Sequence, residues 1–406
     1  MSSRLPRGVP VLKGPAASLG RPALGVGLGL VAAGMTAAAG VAADRLSRDR
    51  RTAVALDATV EDTRYRETPD EEFRLVMSDG VEVHVEIDEP RAEPEGDPAT
   101  VPTVVLTHGY CLNLTAWVFQ RRALREAGYR VVLWDQRGHG RSGMGEADSL
   151  SIEQLGDDLL QVVEETAPTG PVVLVGHSMG GMAMMALGRD HEDFVRDRVV
   201  GAAFVATSPG DLSGVSYGFG RLGGRIIRGL MPLTGVLAAR QDLIDLGVRQ
   251  GRDLVDFVVD IGSFGSPVPL SIAQLTTDMI FGTRLEVMSK FFPIFELHDK
   301  RDALGAYDGV ETLVISGTAD RLTPPEHSAE IVRLVPGAEQ VVVQDAGHVI
   351  MLEHAQVLDE HLLDLIARAR RGAGPVAQHV APTRVRNIAS RRAAREARKD
   401  RREHRR

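Results

Sequence analysis

The chain has 406 residues, 43% of them hydrophobic and 25% charged, enough apolar material for a sizeable core and far from the composition of a disordered polypeptide. Its single cysteine, Cys111, excludes an intrachain disulfide, a cysteine-based zinc site and a CxxC redox pair. The net charge of −8 is uneven: residues 382–406 hold eleven Lys or Arg against three acids, a local +8 that leaves about −16 on the rest. So acidic a body argues against a broad nucleic-acid surface, and no specific nucleic-acid binding is expected.

In chain order, residues 1–44 form a basic start followed by an apolar stretch. Pro22 to Ala43 is free of charge for 22 residues, long enough for a signal peptide or a membrane anchor. A membrane-associated or exported protein is the expectation, with association through residues 22–43. Residues 45–70 are charged and aperiodic and read as a linker. Phe73 to Met77 and Val81 to Ile87 then alternate apolar with polar around Asp79 and Gly80, an Asp-Gly hairpin signal.

Beyond the hairpin, short continuous apolar runs alternate with helical patterns, as in a parallel sheet covered on both faces. The runs are Thr103–Thr107, Arg130–Trp134, Val172–Gly176, Val199–Ala206, Thr312–Ser316 and Gln340–Val343. Helical spacing occupies Leu114–Ala127, Ile152–Glu165, Gly180–Arg189, Pro325–Leu334 and Met351–Ala369. With the hairpin this predicts a mostly parallel eight-stranded sheet, formed by residues 71–210 and 307–371. The intervening residues 211–306 are too long for a bare loop and carry helical apolar patches, so they read as an inserted helical cap. Residues 372–406 read as a basic, disordered tail.

The strongest local signal is Gly176-His177-Ser178-Met179-Gly180, a G-x-S-x-G between a strand and a helix. A strand that turns abruptly into a helix crowds its neighbours, and glycine accepts that crowding. Ser178 is thereby presented at the carboxyl edge of the sheet, where a helix N-terminus offers N–H groups to developing negative charge. Serine is a weak nucleophile and needs a base oriented by an acid. Two later loops supply candidates, each after a predicted strand: Asp320 and then His348. Asp211 and Asp345 are rival acids, and His327 and His354 rival bases. Gly218, Gly220 and Gly223 satisfy G-x-G-x-x-G without a preceding strand, which argues against a dinucleotide site. Neither a P-loop nor HExxH is present, and no metal or cofactor is expected.

The order Ser178, Asp320, His348 resembles that of α/β-hydrolases, and from about residue 72 to 370 the chain is similar to the esterases, lipases and cofactor-free haloperoxidases of that fold. The resemblance implies a triad of Ser178, His348 and Asp320. Thr107 to Cys111 resembles the family's HG-containing loop, which implies that the backbone N–H groups of Tyr110 and Met179 form the oxyanion hole and that His108 braces the loop. Asp135 to Ser142 resembles the D-x-R-G-x-G-x-S turn, and a structural role is expected for Asp135 and His139. Trp117, Phe291 and Phe292, with the nearby Phe281 and Phe295, are candidates for an apolar substrate pocket, although the phenylalanines could equally form the cap's own core. Cys111 reads as a half-buried small hydrophobe, and its place near the pocket also makes it a candidate inhibitor-sensitive thiol.

The expected activity is hydrolysis of a neutral, hydrophobic or lipid-like carboxylic ester through an acyl-enzyme. The same residues would serve a thioesterase, amidase, C–C hydrolase or perhydrolase, or the fold could bind ligand without catalysis.

Overall fold

The computed structural model describes residues 65, 67–93, 100–146, 149–212, 262–372 and 384–388. The apolar stretch 22–43, most of the linker, cap residues 213–261 with their G-x-G-x-x-G, and most of the basic tail lie outside them. Among the described residues no helix is long and apolar enough to cross a membrane.

Strands β1 (Glu71–Val76) and β2 (Glu82–Asp88) form the predicted hairpin, paired antiparallel with Phe73 opposite Val85. Gly80 takes φ +85° at the turn, where Asp79 Oδ1 accepts from the Val81 N–H at 3.2 Å. Six strands then follow the predicted runs: β3 (Thr103–Thr107), β4 (Val131–Trp134), β5 (Val172–His177), β6 (Val199–Val205), β7 (Glu311–Gly317) and β8 (Glu339–Val343). The spatial order is β1-β2-β4-β3-β5-β6-β7-β8, parallel from β4 onward. The sheet has a ninth strand, β9 (Arg384–Ile388), which pairs parallel with β8 inside the segment read from sequence as a disordered tail. Alternation of Arg384, Val385, Arg386, Asn387 and Ile388 was too short a signal to outweigh the surrounding charge.

The helices are α1 (Val118–Glu126), α2 (Ile152–Thr166), α3 (Met179–Asp190), α4 (Glu192–Arg198), α5 (Leu270–Gly282), α6 (Leu285–Leu297), α7 (Pro325–Leu334), α8 (Ile350–Glu353) and α9 (Ala355–Gly372). Alternate strand residues feed two cores, as period-2 geometry requires. Val104, Leu106, Val131 and Leu133 meet α1 and α9 on one face, while Val105, Val132 and Leu174 meet α2, α3 and α7 on the other. Helix α2 starts where Ser151 Oγ accepts from the Gln154 N–H at 3.0 Å, an N-cap that satisfies one of the first-turn donors. The helix expected from Leu114 begins later, because a 3-10 turn occupies Leu114–Trp117, where Asp135 Oδ1 accepts the Leu114 N–H at 2.8 Å. Of the cap, α5 and α6 are described. Phe264, Val268, Ile272 and Met279 join the first core, and Val287 and Phe291 pack on Met179 and Met182.

Candidate active site

The β5–α3 junction carries the backbone strain that the sequence anticipates. Ser178 sits at φ +50°, ψ −115°, a conformation L-residues adopt only when the surroundings over-determine it. Two close approaches enforce it. A Cβ on Gly176 would lie 2.6 Å from the Gly180 backbone, and one on Gly180 would lie 2.3 Å from the Thr107 carbonyl oxygen. The serine is half-exposed, and Met179 gives α3 its first N–H, a donor that a helix leaves without an intrahelical acceptor.

The loop after β3 lies directly against this elbow: a Cβ on Gly109 would be 3.1 Å from Ser178 Cβ. His108 braces it, as expected. Its Nε2 accepts from the Gln136 N–H at 3.0 Å, and the Gln136 side-chain amide donates to the His108 carbonyl at 2.5 Å. Burial pushes the His108 pKa down to about 4, so the imidazole is neutral at pH 7. Asp135 also ties loops together, accepting the Leu114 N–H and the Arg141 N–H, each at 2.8 Å. His139 is buried, donates from Nδ1 to the Arg137 carbonyl at 3.0 Å, and is held neutral with a pKa of about 3, chiefly by burial.

Of the three candidate acids, it is Asp320 that reaches the histidine. His348 Nδ1 lies 2.9 Å from Asp320 Oδ2, both groups buried. The remaining lone pairs of Asp320 are occupied by the N–H groups of Leu322 and Thr323 at 2.8 and 2.9 Å and by Thr323 Oγ1 at 2.9 Å. That leaves the carboxylate one orientation. Asp345 is exposed, as is Asp211, and neither bonds to His348. Rival base His327 is engaged instead with Ser208 Oγ at 2.8 Å.

A contact that sequence reading missed joins the histidine loop to the elbow. His177, immediately before the serine, places Nε2 2.9 Å from the His348 carbonyl oxygen, and the two rings stand 4.7 Å apart. Because a carbonyl only accepts, Nε2 carries the proton. Burial, then the proximity of His348, holds the His177 pKa well below the usual histidine value. The signal was its place inside G-x-S-x-G, but the partner lies 171 residues away. No hydrogen bond links Ser178 Oγ to His348 among the described contacts, a separation common before substrate tightens a site.

Three pocket expectations change. Trp117 is fully buried within the first core, its ring centroid 6.5 Å from that of His177, because the 3-10 turn points it inward. Phe291 is also fully buried, docking α6 on Met179 and Met182, so it is core of the cap junction. The Phe292 side chain lies outside the described residues. Cys111 is buried and its thiol is pushed up to about 12 by desolvation, which removes the reactive-thiol expectation. Phe295, another of the cap phenylalanines, is half-buried beside the elbow together with Tyr110 and Ile294. Tyr110 donates its phenol proton to the Met288 carbonyl at 2.7 Å. On the other flank, Asp320 borders a cleft of about 680 Å³ with Asp211, Arg301, Arg321 and His327.

Glu72, His84 and Glu86 also stand close enough to share an ion. The guanidinium of Arg141 bridges Glu72 and Glu86, and Arg121 binds Glu86, so the carboxylates already have cationic partners. Burial opposes charge on Glu86, yet His84 and these guanidinium groups bring its pKa down to about 2.

The chain is 27% identical over 281 residues to a 2-hydroxy-6-oxononadienedioate/2-hydroxy-6-oxononatrienedioate hydrolase of Escherichia coli, covering 66% of this chain and 87% of that one. It is 25% identical over 275 residues to the dihydrolipoyllysine-residue acetyltransferase component of an acetoin cleaving system from Pseudomonas putida, covering 65% of this chain but only 63% of that protein's length. In structure it is similar to an esterase from Exiguobacterium antarcticum, with a TM-score of 0.57, 20% identity, and coverage of 73% of this chain and all of that one. The model of the alpha/beta hydrolase family matches residues 104–360, which span β3 to α9 and every loop of the site. The chain therefore belongs to the alpha/beta hydrolase family and is an enzyme of that fold.

Proposed function

We propose that the protein is a serine hydrolase cleaving a neutral, largely apolar carboxylic ester through an acyl-enzyme. The observation that carries this reading is the buried His348–Asp320 pair at 2.9 Å, held against the strained Ser178 elbow through His177.

In this reading Ser178 Oγ attacks the ester carbonyl while His348 Nε2 takes its proton. Asp320 keeps the Nδ1–H tautomer and stabilises the imidazolium, without itself taking the proton. The Met179 and Tyr110 N–H groups receive the oxyanion, and the leaving alcohol is protonated by His348. Water then enters with the same base and returns the carboxylic acid and free serine. Tyr110, Phe295 and Ile294 beside the elbow favour an apolar acyl or alkyl group, including a lipid-like one.

The test is turnover of p-nitrophenyl acyl esters of graded chain length by the full chain and by Ser178→Ala. Turnover that depends on Ser178 supports the proposal. Equal rates in the two proteins at every chain length contradict it.

A further inference from the structure

Glu353 closes α8, five residues after His348, and its carboxylate is fully buried. Its oxygens reach across two loops. Oε2 accepts the Gly347 N–H at 2.7 Å, and Oε1 accepts the Ser266 N–H at 2.5 Å and the Ser266 hydroxyl at 2.6 Å. The Gly265 N–H is shared between them at 3.1 and 3.2 Å. The Nε2 of His354 lies 3.5 Å from Oε1.

Two regions meet around this group. Residues 263–266 form the cap stem, the stretch of the insert just before α5, and Gly347 immediately precedes His348. The backbones are pressed together: a Cβ on Gly347 would lie 2.6 Å from Gly265 N and Ser263 O. A Cβ on Gly265 would lie 2.6 Å from Ala319 Cβ, next to Asp320. Val349 N–H donates to the Ser263 carbonyl at 3.0 Å, and Ala319 N–H to the Ala346 carbonyl at 2.9 Å.

We propose that Glu353 is a positioning residue that clamps the cap stem to the histidine loop, so that the placement of His348 depends on the cap stem through this buried carboxylate as well as through the Val349–Ser263 backbone bond. It touches no reacting atom. Four donors converge on an acceptor-only group, an arrangement that an amide cannot reproduce because its NH₂ would face N–H groups. Only the rate consequence rests on the hydrolase reading above; the placement of His348 does not.

The test compares wild-type full chain with Glu353→Gln and, on the cap side, Ser266→Ala. Ester kinetics are measured together with NMR of the His348 Cε1–H in 13C-histidine-labelled protein, assigned with His348→Asn. The expected result is a displaced His348 resonance in both variants, with kcat lower by about 10- to 100-fold in Glu353→Gln and KM little changed, the signature of a misplaced catalytic group. A folded Glu353→Gln protein with an unmoved His348 resonance overturns the clamp. Should that variant fail to fold, Ser266→Ala decides alone: a displaced resonance supports coupling from the cap stem, and an unmoved one contradicts it. If wild type turns over no ester, the hydrolase reading falls while the resonance still decides the clamp.

Discussion

The carboxyl edge of the sheet and the cap junction lie side by side but are built from different kinds of contact. At the edge, polar side chains are over-determined: Asp320 accepts four hydrogen bonds, and His348 is held through both its ring and its carbonyl. At the junction, Phe291, Val287, Met179 and Met182 bury one another in an apolar cluster. Preorganised polar groups serve transition-state charge, whereas apolar burial serves stability. Substitutions at the edge should therefore change rates at nearly constant melting temperature, and those at the junction should do the reverse.

The largest effect that sharpens this contrast is at Ser178. Its replacement by alanine should lower kcat by on the order of 10⁴ to 10⁶ with little change in melting temperature, as steady-state kinetics and calorimetry would show. Asp320→Asn should cost roughly 10⁴ in kcat, because an amide NH₂ facing Nδ1 selects the other imidazole tautomer. A large fall in melting temperature for either would break the comparison.

Across the junction, Phe291→Ala should destabilise by about 3–5 kcal/mol, through lost burial and the cavity left under α6. Urea unfolding would read this, and the accompanying loss in kcat should be far smaller than at Ser178. Phe291→Leu, which keeps most of the volume, should recover much of that stability.

The last effect is one of pH dependence and lies outside both regions. Asp359, on α9, has its pKa raised to about 7 by burial, with the Gln120 amide donating to it at 2.9 Å. Its folded pKa exceeds the unfolded value of about 3.9, so the native state binds the extra proton. This group's contribution is therefore most favourable at low pH and is lost as pH rises from about 4 to about 7. Asp359→Asn should remove that loss, raising the melting temperature more at pH 8 than at pH 5. An equal shift at both values would contradict the assignment.

How much was legible in the sequence follows from the same contrast. Strand runs and turn residues are local signals, so β3 to β8 and the positions of Ser178, Asp320 and His348 after β5, β7 and β8 could be read directly. The contacts of His177 and the inward turn of Trp117 depend on partners distant in the chain. Periodicity reveals that an α6 residue such as Phe291 is apolar, but not whether its face meets substrate or the body. The 3-10 turn at Leu114 has no local signal because Asp135, 21 residues later, draws that backbone into its loop. Strand β9 is five residues in a highly charged segment, below the length at which alternation outweighs composition.

The most direct measurement is reaction of the purified full chain with a fluorescent fluorophosphonate, with the labelled peptide mapped, beside Ser178→Ala and His348→Ala. The account predicts a single label on Ser178 that disappears in the first variant and forms far more slowly in the second. A folded wild-type protein that stays unlabelled, or one that labels equally well without His348, would contradict an assembled, activated serine.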